Sequence, residues 1–399
     1  MLFLASSALL GSLALFVALV QSSWGRRPGS DRLNLLLGAV AVWMVLGCFR
    51  ASSGALAWLG LANWLPLFWG FWGFQPYLAT AAARRRAGLA ILMGTVPVIL
   101  TGLGQMFWGW SGPFQLLGGL VLWHVQRGGN PAGRLAGLFD YANIAGAWLA
   151  VAWPFALAAL LQPRRGAAGR LIALAIAASL VSCLFLTSSR NAWGALLLAV
   201  PLVVGPGSWL WLLPLLLAAV TLIALASLNG VPAVLQLPAR SLVPAAIWER
   251  LSDLHFAGHR PVAITRLAQW QTAIQLIGER PWLGWGAAAF SLVYPRITGH
   301  WHGHPHNLPI DLAFSHGLPA ALAIIGLVLW LLQRSARLGM LQGPVFERAW
   351  WAAALVLVAL HATDMPLYDS RLNVVGWVLL AGLRSAVRQP PQPPATTAA

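Results

Sequence analysis

The chain has no lysine, and its acidic residues are few: six aspartates and three glutamates among 399 residues. The formal charge of +16 therefore rests on 25 arginines. Part of that number is the bias of an Ala-, Leu-, Trp- and Arg-rich chain, so position rather than abundance has to identify an anion site. Cys48 and Cys183 both lie in or beside apolar runs, which argues against a disulfide framework. There is no Walker loop, no Gly-x-Ser-x-Gly and no dinucleotide fingerprint. Outside the apolar runs no two carboxylates are spaced as Asp-x-Asp or Glu-x-Asp, so the oxygen ligands that Mg²⁺ or Mn²⁺ would use to hold a diphosphate are missing. Charged residues within the apolar runs, which many ion-coupled transporters need, are nearly absent.

What is present is apolar. Hydrophobic residues make up 59% of the chain and the mean hydropathy is +0.73, more than one water-soluble core can cover. Apolar runs recur along the whole length. Several approach the roughly 20 residues that cross a hydrocarbon core of about 30 Å as helix, and backbone groups in lipid must be satisfied within their own segment. The expected fold is an all-α polytopic integral membrane protein. Residues 1–21 lack a basic leader region and a cleavage site, and read as a retained first span.

Short basic clusters mark the cytoplasmic side: Arg84, Arg85 and Arg86; Arg164, Arg165 and Arg170; Arg334 and Arg337 with Arg348; Arg384 and Arg388. They divide the chain into an N-terminal membrane bundle at 1–228, an external loop domain at 229–309, C-terminal membrane helices at 310–388 and a disordered Pro-rich cytoplasmic tail at 389–399. A re-entrant or short span is expected over 114–122. Residues 33–78 hold two long spans or three short ones, giving about 11 or 12 in all. Arg26, Arg27 and Arg32 favour an external N-terminus.

The external loop carries most of the histidines. Pro261 suits a helix start and Arg280-Pro281 a helix end, with Arg266, Gln269, Trp270, Ala273 and Ile277 on one face. That is an amphipathic helix, lying on the membrane surface and lining a cavity, or simply packing. Next comes His300-Trp-His302-Gly-His304-Pro-His306-Asn307 at the mouth of a span. A metal reading is weakened by the loop's few carboxylates, Glu249, Asp253 and Glu279. A general base fits better. His306 is the first choice, oriented by Asn307, with His304 as the alternative. His255, His259, His300 and His302 read as ordinary loop histidines. Arg190 caps an apolar run in Thr187-Ser188-Ser189-Arg190-Asn191, and Arg266 and Arg296 could converge with it on phosphate oxygens. Snorkelling to lipid headgroups is the plain alternative for each.

Four stretches resemble the O-antigen ligase and polymerase superfamily. They are Gly137-Leu-Phe-Asp-Tyr-Ala-Asn143; Thr187-Ser-Ser-Arg190-Asn-Ala-Trp193, with Asn191 where glycine is usual; Arg266-Leu-Ala-Gln-Trp270 continuing to Arg280-Pro-Trp-Leu-Gly-Trp-Gly286; and His306-Asn307 with Gly317. Ala320 departs from the Gly, Thr or Tyr usual after that glycine. The resemblance implies a metal-independent inverting glycosyltransferase of GT-C type in the bacterial inner membrane, with its active site facing the periplasm. The implied donor is a glycan on undecaprenyl diphosphate and the acceptor is lipid A–core oligosaccharide. His306 would be the base, and Arg190 and Arg266 would hold the diphosphate. Arg296, Asn307, His304, Trp270, Asn143, Asn191, Asp364 and Asp369 make up the expected substrate-binding set. No metal, cofactor or nucleic acid is expected, and the chain is expected to be a monomer among membrane lipids. The other readings are an O-antigen polymerase, a protein O-oligosaccharyltransferase and, from another class, a transporter.

Overall fold

The computed structural model describes residues 1–26, 31–163, 166–252 and 261–388. Arg27, Arg164, Arg165, Asp253, His255, His259 and the 389–399 tail lie outside them. The described chain is mostly helical. Among the described residues, five helices are long and apolar enough to cross a membrane: Ala81–Phe107, Ala142–Leu161, Ala167–Leu186, Pro206–Ser227 and Leu308–Arg337. Ala8–Ser23, Arg32–Cys48 and Arg190–Val204 are shorter apolar helices.

The Ala142–Leu161 helix is the central post, buried along most of its length. Its many alanines, with Gly146, let the Arg190–Val204 and Val345–Leu360 helices approach closely, the usual solution where lipid offers no hydrophobic drive to association. The Trp209–Ser227 helix sits at the other extreme and leaves Leu210, Trp211, Leu215 and Leu217 exposed. Beside lipid, such a face needs no partner. Residues 33–78 resolve into one unbroken helix, Arg32–Cys48, and a broken path through Ala55–Gly60 and Leu65–Gly73.

Two segments differ from expectation. Residues 114–122 do not form a span; strands Phe114–Leu116 and Val121–Trp123 pair as an antiparallel hairpin. Gly118 and Gly119, at φ 66° and 92°, make the turn, and a glycine pair favours a turn over a helix. The amphipathic helix begins at Arg266, not at Pro261, because the Thr265 side chain accepts from the Ala268 amide and caps it.

The Leu308–Arg337 helix is broken at Gly317, whose φ is 81°. Segment 281–286 lies along the break. Leu318 donates to the Pro281 carbonyl at 2.8 Å, while Trp285 and Gly286 donate to Phe314 and Ser315 at 2.8 and 3.0 Å. Backbone groups freed by the kink are thereby paired, as membrane depth requires.

The bundle has two different polar ends. At one, Arg84 pairs with buried Glu347 at 2.5 Å, Arg348 donates to the Val203 carbonyl, and Asp31 joins Arg384 and Arg388. At the other lie the starts of the Ala142–Leu161, Arg190–Val204 and Leu308–Arg337 helices and the turn after Val345–Leu360.

Candidate functional site

Asp364 is the hub of that second end. It sits in the turn between Val345–Leu360 and the last helix, 9% exposed. His306 Nδ1 lies 3.2 Å from Oδ1, and the Met365 amide donates to the same oxygen at 2.9 Å. Asn143 Nδ2 donates to Oδ2 at 3.0 Å, and an Arg266 guanidinium nitrogen stands 3.7 Å from it. Burial alone would raise the carboxyl pKa. The His306 bond and charge, the Met365 amide and Arg266 outweigh it and bring the pKa to about 2.

An ionised carboxylate only accepts, so Nδ1 of His306 faces it with a proton, and whenever the ring is neutral Nε2 is the nitrogen that keeps its lone pair. This carboxylate–imidazole arrangement fixes a base in its working tautomer and stabilises the imidazolium it becomes. His306 has a left-handed backbone, φ 53°, a strained setting for a non-glycine residue that neighbouring contacts must hold. Two contacts do so. The His306 amide donates to His304 Nδ1 at 3.3 Å, and Trp270 Nε1 donates to the Pro305 carbonyl at 2.8 Å.

His304 packs beside His306 and holds its backbone. Its Nδ1 is committed to the backbone, and burial, with His306 beside it, lowers its pKa to about 4. Tyr368 packs against the His304 ring at 5.3 Å between centroids and donates its hydroxyl to Asp311 at 3.1 Å.

A second group lies across Asn143. Arg134 Nη2 donates to Asn143 Oδ1 at 2.6 Å, and Arg134 Nε donates to the Thr187 carbonyl at 2.8 Å. Arg250 Nε donates to the next carbonyl, that of Ser188, at 3.0 Å. Arg190 follows two residues on, at the start of its helix. Three guanidiniums thus gather around one turn, and Ser188 within it also has a positive φ, 47°. Burial lowers the Arg134 pKa, and the Arg250 and Arg190 charges lower it further, the mark of cations crowded together. A groove of about 870 Å³, lined by Phe185, Trp193, Leu197, Leu213 and Leu217, opens beside Arg190.

The other expected residues are placed differently. Asn307 does not orient His306. Its Oδ1 caps Ile310 and its Nδ2 holds the Ala362 carbonyl, because the residue before Leu308 faces the helix end it starts. Asp369 caps the last helix and forms a 2.5 Å ion pair with Arg371, which turns it away from the hub. Arg296 is exposed on Phe290–Thr298, and neither it nor Asn191 enters the bonds around Asp364. His300 Nδ1 is bonded to the Thr298 carbonyl. Among the described residues no three of His, Cys, Asp and Glu are grouped to hold a metal ion.

Arg134 and Arg250 are absent from the sequence reading. The rule that singled out Arg190, an arginine away from the cytoplasmic clusters, would have flagged Arg134 too. Arg250 becomes visible only through its bond to a turn 62 residues away.

Fold and site together define a helical membrane protein in which a carboxylate holds a histidine beside a cluster of arginines. Residues 175–325 match the family model described as O-antigen ligase, so that stretch of the chain is similar to this family. The match contains Arg190, Arg250, Arg266 and His306, whereas Arg134, Asn143 and Asp364 lie outside it. No curated protein matches the chain.

Proposed function

We propose that the protein is an inverting glycosyltransferase of GT-C type that moves a glycan from undecaprenyl diphosphate to lipid A–core oligosaccharide at the periplasmic face of the inner membrane. The observation that carries this reading is the ionised Asp364 holding His306 Nδ1–H, with Arg134, Arg190 and Arg250 gathered beyond the Asn143 bridge.

Each group has one task. The acceptor hydroxyl gives its proton to His306 Nε2 as its oxygen attacks the anomeric carbon. The bond from that carbon to the diphosphate oxygen breaks on the opposite face, which inverts the centre. Negative charge then grows on the leaving diphosphate, where guanidinium forks neutralise it as a metal ion otherwise would. Asp364 stabilises the imidazolium. Arg266, 3.7 Å from Asp364, stands between base and leaving group. The apolar groove beside Arg190 suits the polyprenyl chain, and segment 229–309 serves as lid and acceptor platform. The basic clusters at the opposite end support a periplasmic site.

The test is ligation with purified donor and acceptor in excess chelator. Full activity is expected, and activity lost in chelator but restored by Mg²⁺ would overturn the metal-free mechanism. Deleting the gene in its host separates acceptors. Long glycan left on the carrier lipid supports a ligase; single-unit chains would indicate a polymerase, and unmodified protein acceptors a protein glycosyltransferase.

A further inference from the structure

Between the Ala81–Phe107 helix and His124 the chain runs outside any span, yet residues 107–123 contain no charged side chain. Their hairpin has two faces. Val121 is buried, and Trp123 Nε1 donates to the Ser6 carbonyl at 2.7 Å, docking the inner face on the start of the chain. The tip faces outward: Leu117 is 74% exposed, with Leu120 and Leu122 more than half exposed. Phe107 and Trp108, at the end of the span, are exposed as well, and the Trp108 and Trp110 rings pair at 6.2 Å. This apolar strip continues the outward side of the Val96–Phe107 helix, where Leu100 is exposed.

We propose that the 114–123 hairpin is an interfacial anchor that inserts Leu117, Leu120 and Leu122 into the lipid leaflet on the His306 side. Three observations favour lipid over water or a protein partner. A two-stranded hairpin is marginal alone, and an uncharged leucine tip has nothing to bury in water. The tip is continuous with the span's outward face. Paired tryptophans sit at its base, the position of an interfacial aromatic belt. Depth is bounded too. The outer edges of two strands leave backbone groups unpaired, and hydrocarbon does not tolerate these, so the strands stay at headgroup level while the leucines dip below it. The segment that follows returns to the site through Arg134 and its bond to Thr187, which places the anchor on the leaflet that faces the candidate base.

The experiment uses the full chain reconstituted in phosphatidylcholine–phosphatidylglycerol vesicles. Leu117→Cys takes an environment-sensitive dye, and the two native cysteines are buried; His124→Cys, exposed at the strand end, is the water-facing control. At Leu117 we expect blue-shifted emission, quenched several-fold more by nitroxide lipids labelled near the headgroup than by those labelled at the chain end. Water-like emission without quenching would overturn the anchor. So would a blue shift that disappears when the protein is diluted in excess lipid, since that reports a second copy covering the tip.

Discussion

At the scale of single residues, the role of Asp364 is sharply testable. Asparagine has nearly its shape, but its amide can donate to Nδ1 and so stabilise the wrong histidine tautomer. Asp364→Asn should lower kcat by roughly 10²- to 10⁴-fold, the range for a positioned base, with little change in donor KM. A large rise in KM with kcat intact would instead make Asp364 a substrate ligand. Arg134→Ala and Arg250→Ala should act on the leaving group. We expect losses in kcat/KM comparable to that of Arg190→Ala, and larger for donors with diphosphate than with monophosphate; equal losses for both donors would contradict the clamp. The arginine variants should cost at least as much as His306→Ala, because electrostatic stabilisation is often the larger catalytic effect.

His304 carries one part of the pH response, which it shares with His302 and His361, both also lowered by burial. The His304 pKa is lowered from 6.5 to about 4 by burial and by His306, so the native site prefers the neutral ring. That preference is fully present above pH 6.5 and is lost as pH falls toward 4, a cost of up to about 2 kcal/mol near pH 5. Asp364, lowered from 3.8 to about 2, keeps its contribution until the pH drops below about 4. Melting of the detergent-solubilised protein at neutral pH and near pH 5 checks this. His304→Asn, which can still accept the His306 amide, should lose less stability on acidification than the native protein; an equal loss would place the effect elsewhere. In the sequence His306 and Arg190 stand out as polar residues at span mouths, and Arg266 as an arginine on the amphipathic helix of the external loop. The sequence misassigned Asn307, since adjacency in the chain says nothing about which way a helix cap faces. Asp364 was named only as a substrate ligand, because its bond to His306 closes over 58 residues.

Among the elements, the broken helix is the feature least visible beforehand. Apolar periodicity reads straight through Gly317, and only the pairing of 281–286 with 314–318 reveals the kink. A Cβ at Gly317 would lie 1.8 Å from the Trp282 carbonyl oxygen, and the backbone there has φ 81°. Gly317→Ala should therefore destabilise the protein by on the order of 3 kcal/mol or more, from strain and overpacking together. Thermal melting in detergent measures it, and an unchanged midpoint would mean that the kink is not held by this contact. The same kink places Phe314 against Trp285 and Phe290, so the loop carrying Arg266 and the helix starting after His306 share one small core. Helices and their faces were legible as apolar runs. The hairpin was not, because an uncharged stretch beside a span looks the same whether it crosses a membrane or lies on it.

For the whole molecule, the segregation of its two ends bears on which way it faces. Every basic cluster used to set the frame in the sequence, where described, gathers at the end holding the Arg84–Glu347 pair, while His306, Asp364 and Arg190 lie at the other. The helix path agrees. Ala8–Ser23 begins beside the hairpin, through the Ser6 carbonyl, and finishes where Ser22 bonds the Gly73 carbonyl, so its N-terminal end lies on the side of the site. Arginine-rich ends tend to stay cytoplasmic because moving them across is costly, and the proposed function places the site on the opposite, periplasmic side. Single cysteines at Arg86 and Trp301, both exposed, report this in intact cells. A membrane-impermeant maleimide should label Trp301→Cys and leave Arg86→Cys unlabelled until the inner membrane is opened. The reverse pattern would put His306 in the cytoplasm, where a glycan on the outer face of the carrier lipid's membrane could not reach it, and the proposed transfer would fall with it.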